Sequence, residues 1–301
     1  MSRYINPMTD FGFKYIFGRE ESKPFLIDFL NCLLHDEPEF DTIVDLVYLD
    51  KEKSRSRRKE RGVIYDIHCT SSNGRQFTVE MQNSGQAYYI DRMIYYASKA
   101  IVDQGKTGPD WQYRYNPVYV VSFMNFVHDM FGDELRTDAA LCDLKTKKPI
   151  SDKLRYIFIQ LPLFRKVSPE ECVSDMDRWY YVFINMKNME TMPFTQENRL
   201  FSRLADMASY ANLSPEDKLA YDADLKAYRD IMGQLSFAEA RGIEKGIEKG
   251  IEKGIEKGRL AAVAEMVFEM DKEGIPIGQI ARLVKMNVDD VGRMLGRLRA
   301  E

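Results

Sequence analysis

The stretch VIYDIHCTSSNGRQFTVEMQN, residues 63 to 83, constrains the fold more tightly than any other part of this 301-residue chain. Two runs of β-forming residues flank the turn formers Ser72, Asn73 and Gly74, which predicts a hairpin. Side chains alternate between the two faces of a strand, so the apolar positions decide the register. A two-residue Asn73-Gly74 turn would set apolar Ile67 against Glu80 and mix the faces. A three-residue Ser72-Asn73-Gly74 loop, with Gly74 left-handed, pairs Tyr65 with Met81, Ile67 with Val79 and Cys69 with Phe77. We therefore expect the second register. It places Asp66 across from Glu80, with Cβ atoms about 5 Å apart, and Gln82 one step farther along the same face.

Two carboxylates that close repel each other unless a proton or a cation lies between them. An all-oxygen pair suits Mg²⁺, with Mn²⁺ or Ca²⁺ as alternatives, because such hard cations accept one or two carboxylates and keep several waters. The competing reading is a polar strand face turned to water. The preceding loop weighs against it: from Lys51 to Arg61 seven basic residues, among them Arg55, Arg57, Arg58, Lys59 and Arg61, face only two acidic ones. Such a run is suited to phosphate backbones. His68 lies on the carboxylate face and is read as a bystander, not a ligand.

Around the hairpin the order is helical (KPFLIDFLNCLL, 23 to 34), extended (DTIVDLVYL, 41 to 49), the hairpin, a long helix over 86 to 104, then extended runs at PVYVVSF (117 to 123) and LRYIFIQLPL (154 to 163). Helix, three strands, helix, strand predicts an α/β core with a mixed sheet. A shorter helix is expected near the N-terminus, with Asp10 and Lys14 four residues apart. They are either a capped start with an exposed ion pair or part of the site. Capping signatures at Ser174 with Asp177, and at Ser214 with Pro215 and Asp217, start helices near 175 to 189 and 215 to 240, with another over 196 to 212.

The net charge of −4 excludes a wholesale nucleic-acid coat. Four cysteines without a CxxC pair and three histidines exclude a zinc knuckle, and GxSxG, Walker A, GxGxxG and HExxH motifs are missing. No apolar run approaches the roughly 18 residues of a membrane span, and MSRYINPMTD lacks a signal peptide's apolar core, so a cytoplasmic location is expected.

Residues 241 to 259, RGIEKGIEKGIEKGIEKGR, form a perfect four-residue repeat. In a helix each repeat overshoots a turn by about 40°, so the isoleucine and glycine stripes wind around the rod. Its five glycines cost about 4 to 5 kcal/mol against alanine. A semi-flexible helical spacer is expected, open to self-association into a homo-oligomer. Residues 260 to 301 read as two or three short helices with some likeness to a helix-turn-helix. Seven basic residues balance seven acidic ones from Arg259 to Glu301, which favours a protein-interaction tail over a DNA reader.

The motifs PMTDFGFKYIFG, YDIHC with VEMQ, the following helix with Arg92 and Tyr96, and the GIEK tail together resemble the PD-(D/E)XK nucleases. More specifically, they resemble the bacterial recombination-promoting nuclease and transposase family. The resemblance spans essentially the whole chain. It implies a restriction-endonuclease-like core over 1–165, a helical extension over 166–240, the repeat spacer over 241–259 and a tail over 260–301. It further implies a Mg²⁺-dependent DNA endonuclease of recombination, mobile elements or defence against foreign DNA, with Asp66 and Glu80 as metal ligands. Gln82 stands where the superfamily's name has lysine, and an amide can only hydrogen-bond where lysine offsets charge. Lys14 and Arg92 are the cations that could substitute, and Asp10 and Tyr96 would support the ligands from behind. The rival functions are a degenerate nuclease that binds DNA without cutting and an assembly protein driven by the repeat tail.

Overall fold

Alternation along one strand builds two layers. In β4 (Val118–Met124) every residue is buried. Tyr119, Val121 and Phe123 join one hydrophobic cluster, and Val118, Val120 and Met124 join another on the opposite face. A strand covered on both sides reads as the near-continuous apolar run seen in the sequence. The structure, a computed structural model, describes residues 2–37, 41–49, 65–106, 108 and 111–298. The basic loop carrying Arg55, Arg57, Arg58, Lys59 and Arg61 lies outside the described residues.

The sheet has six strands, β1 (Leu46–Tyr48), β2 (Ile67–Ser71), β3 (Gln76–Gln82), β4, β5 (Arg136–Ala140) and β6 (Leu154–Gln160), in the order β1-β2-β3-β4-β6-β5. β3, β4 and β6 are parallel, β2 pairs antiparallel with both β3 and β1, and β5 pairs antiparallel with β6. The expected mixed sheet is present. β1 is shorter than the run 41 to 49 that announced it, and β6 ends at Gln160, where a short 3₁₀ turn over Leu161–Leu163 containing Pro162 takes over. β5 was not anticipated: RTDAA has no apolar alternation and becomes a strand by pairing with β6. Parallel pairing of β3 with β4 requires a crossover, and α3 (Tyr89–Val102) provides it.

α3 covers one face through Tyr89, Met93, Ala97 and Ala100. The other face is covered by α1 (Asp10–Phe17), α2 (Lys23–Leu34), α4 (Asp175–Asn185) and α5 (Arg199–Ala208), whose apolar residues form the larger cluster. Thr9 caps α1 by accepting the N–H of Gly12. A Cβ at Gly12 would lie 2.1 Å from the carbonyl oxygen of Asn6, so the glycine of the PMTDFGF motif is required by a close backbone approach. The Ser174–Asp177 capping box is present, and Ser214 accepts the N–H of Asp217.

The chain divides into two compact units, Met1–Asp230 and Ile231–Glu301. α6 (Pro215–Lys272) does not stop near 240 but runs on through the repeat. In the second unit α7 (Ile277–Leu283) and α8 (Val288–Leu298) pack with the end of α6 around Val267, Ile280, Ala281, Val291 and Leu295. Among the described residues no helix is long and apolar enough to cross a membrane.

Candidate active site

The register read from the hairpin holds. Ile67 pairs with Val79, His68 with Thr78, Cys69 with Phe77 and Thr70 with Gln76. Ser71 N–H bonds to Arg75 O, closing a Ser72-Asn73-Gly74 loop, and Gly74 sits at φ +84°. The ladder ends one residue early. Asp66 lies just outside β2, and there side chains take over from the main chain: Asp66 N–H donates to Glu80 Oε1 at 3.1 Å, and Met81 N–H donates to Asp66 Oδ2 at 2.9 Å. This reciprocal clasp holds the two carboxylates together. Tyr65 does not continue the ladder to Met81. Its ring stacks on His68 at 4.7 Å and meets Tyr96 of α3 edge-on.

The clasp uses one oxygen of each carboxylate. Glu80 is only 5% exposed, and its carboxyl is held well above the usual range, first by burial and then by the charge of Asp66. The Lys14 ammonium lies 3.7 Å from Asp66 Oδ1 and 2.5 Å from Asp10 Oδ1. Burial opposes its charge, but the Asp10 hydrogen bond and the nearby carboxylates outweigh that and raise its pKa. Asp10 and Lys14 are thus both a helical i, i+4 pair and a bridge to the carboxylates.

Gln82 is engaged at both ends: its carbonyl accepts from Arg92 Nη2, and its amide donates to Ser84 O at 3.1 Å. Arg92 also donates to Gln86 Oε1 at 2.7 Å, and its guanidinium lies 5.7 and 5.9 Å from the ring centres of Tyr89 and Tyr96. Tyr96, half-buried, has its hydroxyl pKa raised by burial and then by Glu80. His68 is buried against Thr78 at 3.1 Å, and burial lowers its pKa, so it is a neutral packing partner. Sequence reasoning missed Gln86 and Ser84, which orient Arg92 and Gln82. Their only signal was proximity to VEMQN.

Among the described residues no group of three or more His, Cys, Asp and Glu could hold a metal ion. A pair of carboxylates still matches the donor set of Mg²⁺, which fills its remaining positions with water. The residues present fit such an ion, since burial and the charge of Asp66 outweigh the pull of Arg92 and Lys14 on the Glu80 carboxyl.

No curated protein and no solved structure matches the chain significantly. The family described as PD-(D/E)XK nuclease family transposase does: its model matches residues 7–238, a span that holds α1, the whole sheet and every residue of this site. With most of the chain matched, and a restriction-endonuclease-like sheet presenting an aspartate across from a Glu-x-Gln, the chain belongs to the PD-(D/E)XK nuclease family transposases.

Proposed function

We propose that this chain is a Mg²⁺-dependent DNA endonuclease, bacterial and cytoplasmic, acting in recombination, mobile elements or defence against foreign DNA. The reciprocal clasp between Asp66 and Glu80 carries this reading. It holds two carboxylates on one face of the sheet, one of them buried, with Lys14 beside Asp66 and Arg92 bound to Gln82. Asp66 and Glu80 would hold the metal, with Mn²⁺ as an active substitute and Ca²⁺ as a binding one. A bound divalent cation supplies Lewis-acid activation of water and neutralises charge on a phosphodiester. Lys14 and Arg92 add positive charge where the superfamily's lysine would stand. Gln82 acts through Arg92, because both ends of its amide are already engaged, and so it positions water indirectly. Asp10 and Tyr96 fix the orientation of Lys14 and Arg92. Arg55, Arg57, Arg58, Lys59 and Arg61 are assigned to phosphate binding.

One observation favours a second reading, DNA binding without cleavage: position 82 is neutral and its amide is not free to meet substrate. Cleavage of plasmid DNA during a Mg²⁺ titration separates the two. The nuclease reading expects metal-dependent nicking that Asp66→Ala lowers by at least about a hundredfold, as loss of a metal ligand should, with DNA binding in EDTA largely retained. Equal cleavage by parent and Asp66→Ala would overturn it.

A further inference from the structure

β3 has two ends. One carries the carboxylates; the other opens on a cleft of about 700 Å³ where β3, β4 and β6 all begin. We propose that this cleft is a second nucleotide-binding site, holding a phosphate on its cations and a base on its tyrosines.

Its lining is unbalanced in charge. Lys106, Arg114 and Lys153 contribute three cations and, among the described residues, no carboxylate lines the cleft. By contrast Lys99, on α3, is neutralised by Asp103 at 2.7 Å. Three uncompensated cations in one concavity of a net acidic chain attract phosphate. Tyr113 and Tyr115 stand beside them. Tyr113 is 79% exposed and held at φ +56°, a strained backbone for a bulky residue, with the Trp111 ring 5.0 Å behind it. The segment is held in place: Gln104 Oε1 accepts from Asn116 N–H at 2.8 Å, its amide donates to Asn116 O, and Trp111 Nε1 donates to Arg114 O at 3.2 Å. Cations interleaved with presented aromatic rings are the chemistry of single-strand grooves, where bases stack and phosphates are tracked.

A further observation points to a ligand. Gln76, the first residue of β3, lines the cleft with a buried side-chain oxygen that has no hydrogen-bond partner. Buried acceptors are normally satisfied, and an amino group on a base edge is a donor of the right kind.

On β3, which spans Gln76–Gln82, Glu80 stands four residues beyond Gln76, so the cleft lies about 13 Å from the carboxylates at roughly 3.3 Å per residue. At about 3.4 Å per nucleotide along a strand, that is about four nucleotides away. The cleft therefore cannot hold the phosphate being cut. It would grip a flanking strand or a free nucleotide.

Fluorescence anisotropy of the full-length protein in EDTA tests this, with labelled dodecathymidylate and with dAMP as competitor. EDTA removes the metal, so the outcome is independent of whether the carboxylates cleave. The parallel experiment on Arg57→Glu/Arg58→Glu removes the contribution of the basic loop. In both backgrounds Lys106→Glu/Arg114→Glu is expected to weaken binding at least about tenfold and to lower the salt slope by about 0.7 for each phosphate left without a cation. Tyr113→Gly is expected to weaken binding about 5- to 100-fold while leaving the melting temperature equal or higher, because glycine accepts the positive φ. Full competition by dAMP would identify a free nucleotide as the ligand; oligonucleotide binding that dAMP leaves intact would identify a strand. Binding unchanged by both variants, or no binding of either probe by the parent, overturns the proposal.

Discussion

α1 and the GIEK repeat are both helical, yet their stability has opposite origins. α1 is eight residues long, too short to persist alone, and five of them are buried. Its Phe17 meets Phe29, Phe123, Trp179 and Phe183 at ring-centre distances between 5.5 and 6.3 Å. In the repeat, Ile243, Ile247, Ile251 and Ile255 are 58 to 68% exposed, and a Cβ at any of its five glycines would meet nothing. The first helix exists because distant parts of the chain cover it. The second is one continuous helix held by local backbone bonds, and no core in its own unit requires its isoleucines. A residue's helical state thus says nothing about what holds it there.

The contrast is sharpest under truncation of an apolar side chain. Phe17→Ala should destabilise the first unit by about 3 to 5 kcal/mol, a large part of a domain's total stability, whereas Ile247→Ala should change stability by less than about 0.5 kcal/mol. Urea denaturation of both variants checks this, and comparable losses would break the comparison.

Charge gives the next test. Because Glu80's carboxyl sits well above its ordinary value of 4.5, the metal-free native state holds a proton that the unfolded chain has released over that interval. Its contribution to stability is complete below the ordinary value and is lost as pH rises towards the raised one. Glu80→Gln should therefore melt higher than the parent at neutral pH without metal, with the gap closing as pH falls to about 4. It should also lose cleavage. A gap that does not vary with pH would show that Glu80 is not strained by burial.

Deleting everything after Gly242 should leave the first unit's melting temperature within a few degrees of the parent, since Tyr221, Leu225 and Tyr228 of α6, which pack on its core, are kept. Circular dichroism and light scattering check this, and an unfolded product would show that the repeat serves the α/β core. A gain is expected at Lys285, where φ is +55° and Met286 N–H bonds back to Ala281 O, a helix end normally closed by glycine, as at Gly274. Lys285→Gly should stabilise the tail by about 0.5 to 1 kcal/mol, measured by its thermal transition.

Short-range pattern was enough for the hairpin. Alternation from Ile67 to Val79 left one register that kept apolar residues together, and that register set Asp66 across from Glu80. The helix starts at Ser174 and Ser214 were legible for the same reason: a cap satisfies N–H groups three residues away, so its signal is local. What distant partners create was not legible. β5 is a strand because β6 offers it an edge. Asp66 leaves the ladder because Glu80 accepts its N–H. Gln82 is bound to Arg92 because the crossover lays α3 over β3, and the cations at the far end of that strand converge only where three strands begin together. Sequence alone determined the periodic elements and the residues that could be chemical, because period and capping act within a few residues. The tertiary structure decided which of those residues meet, because burial and charge act across any separation in sequence once the chain has closed.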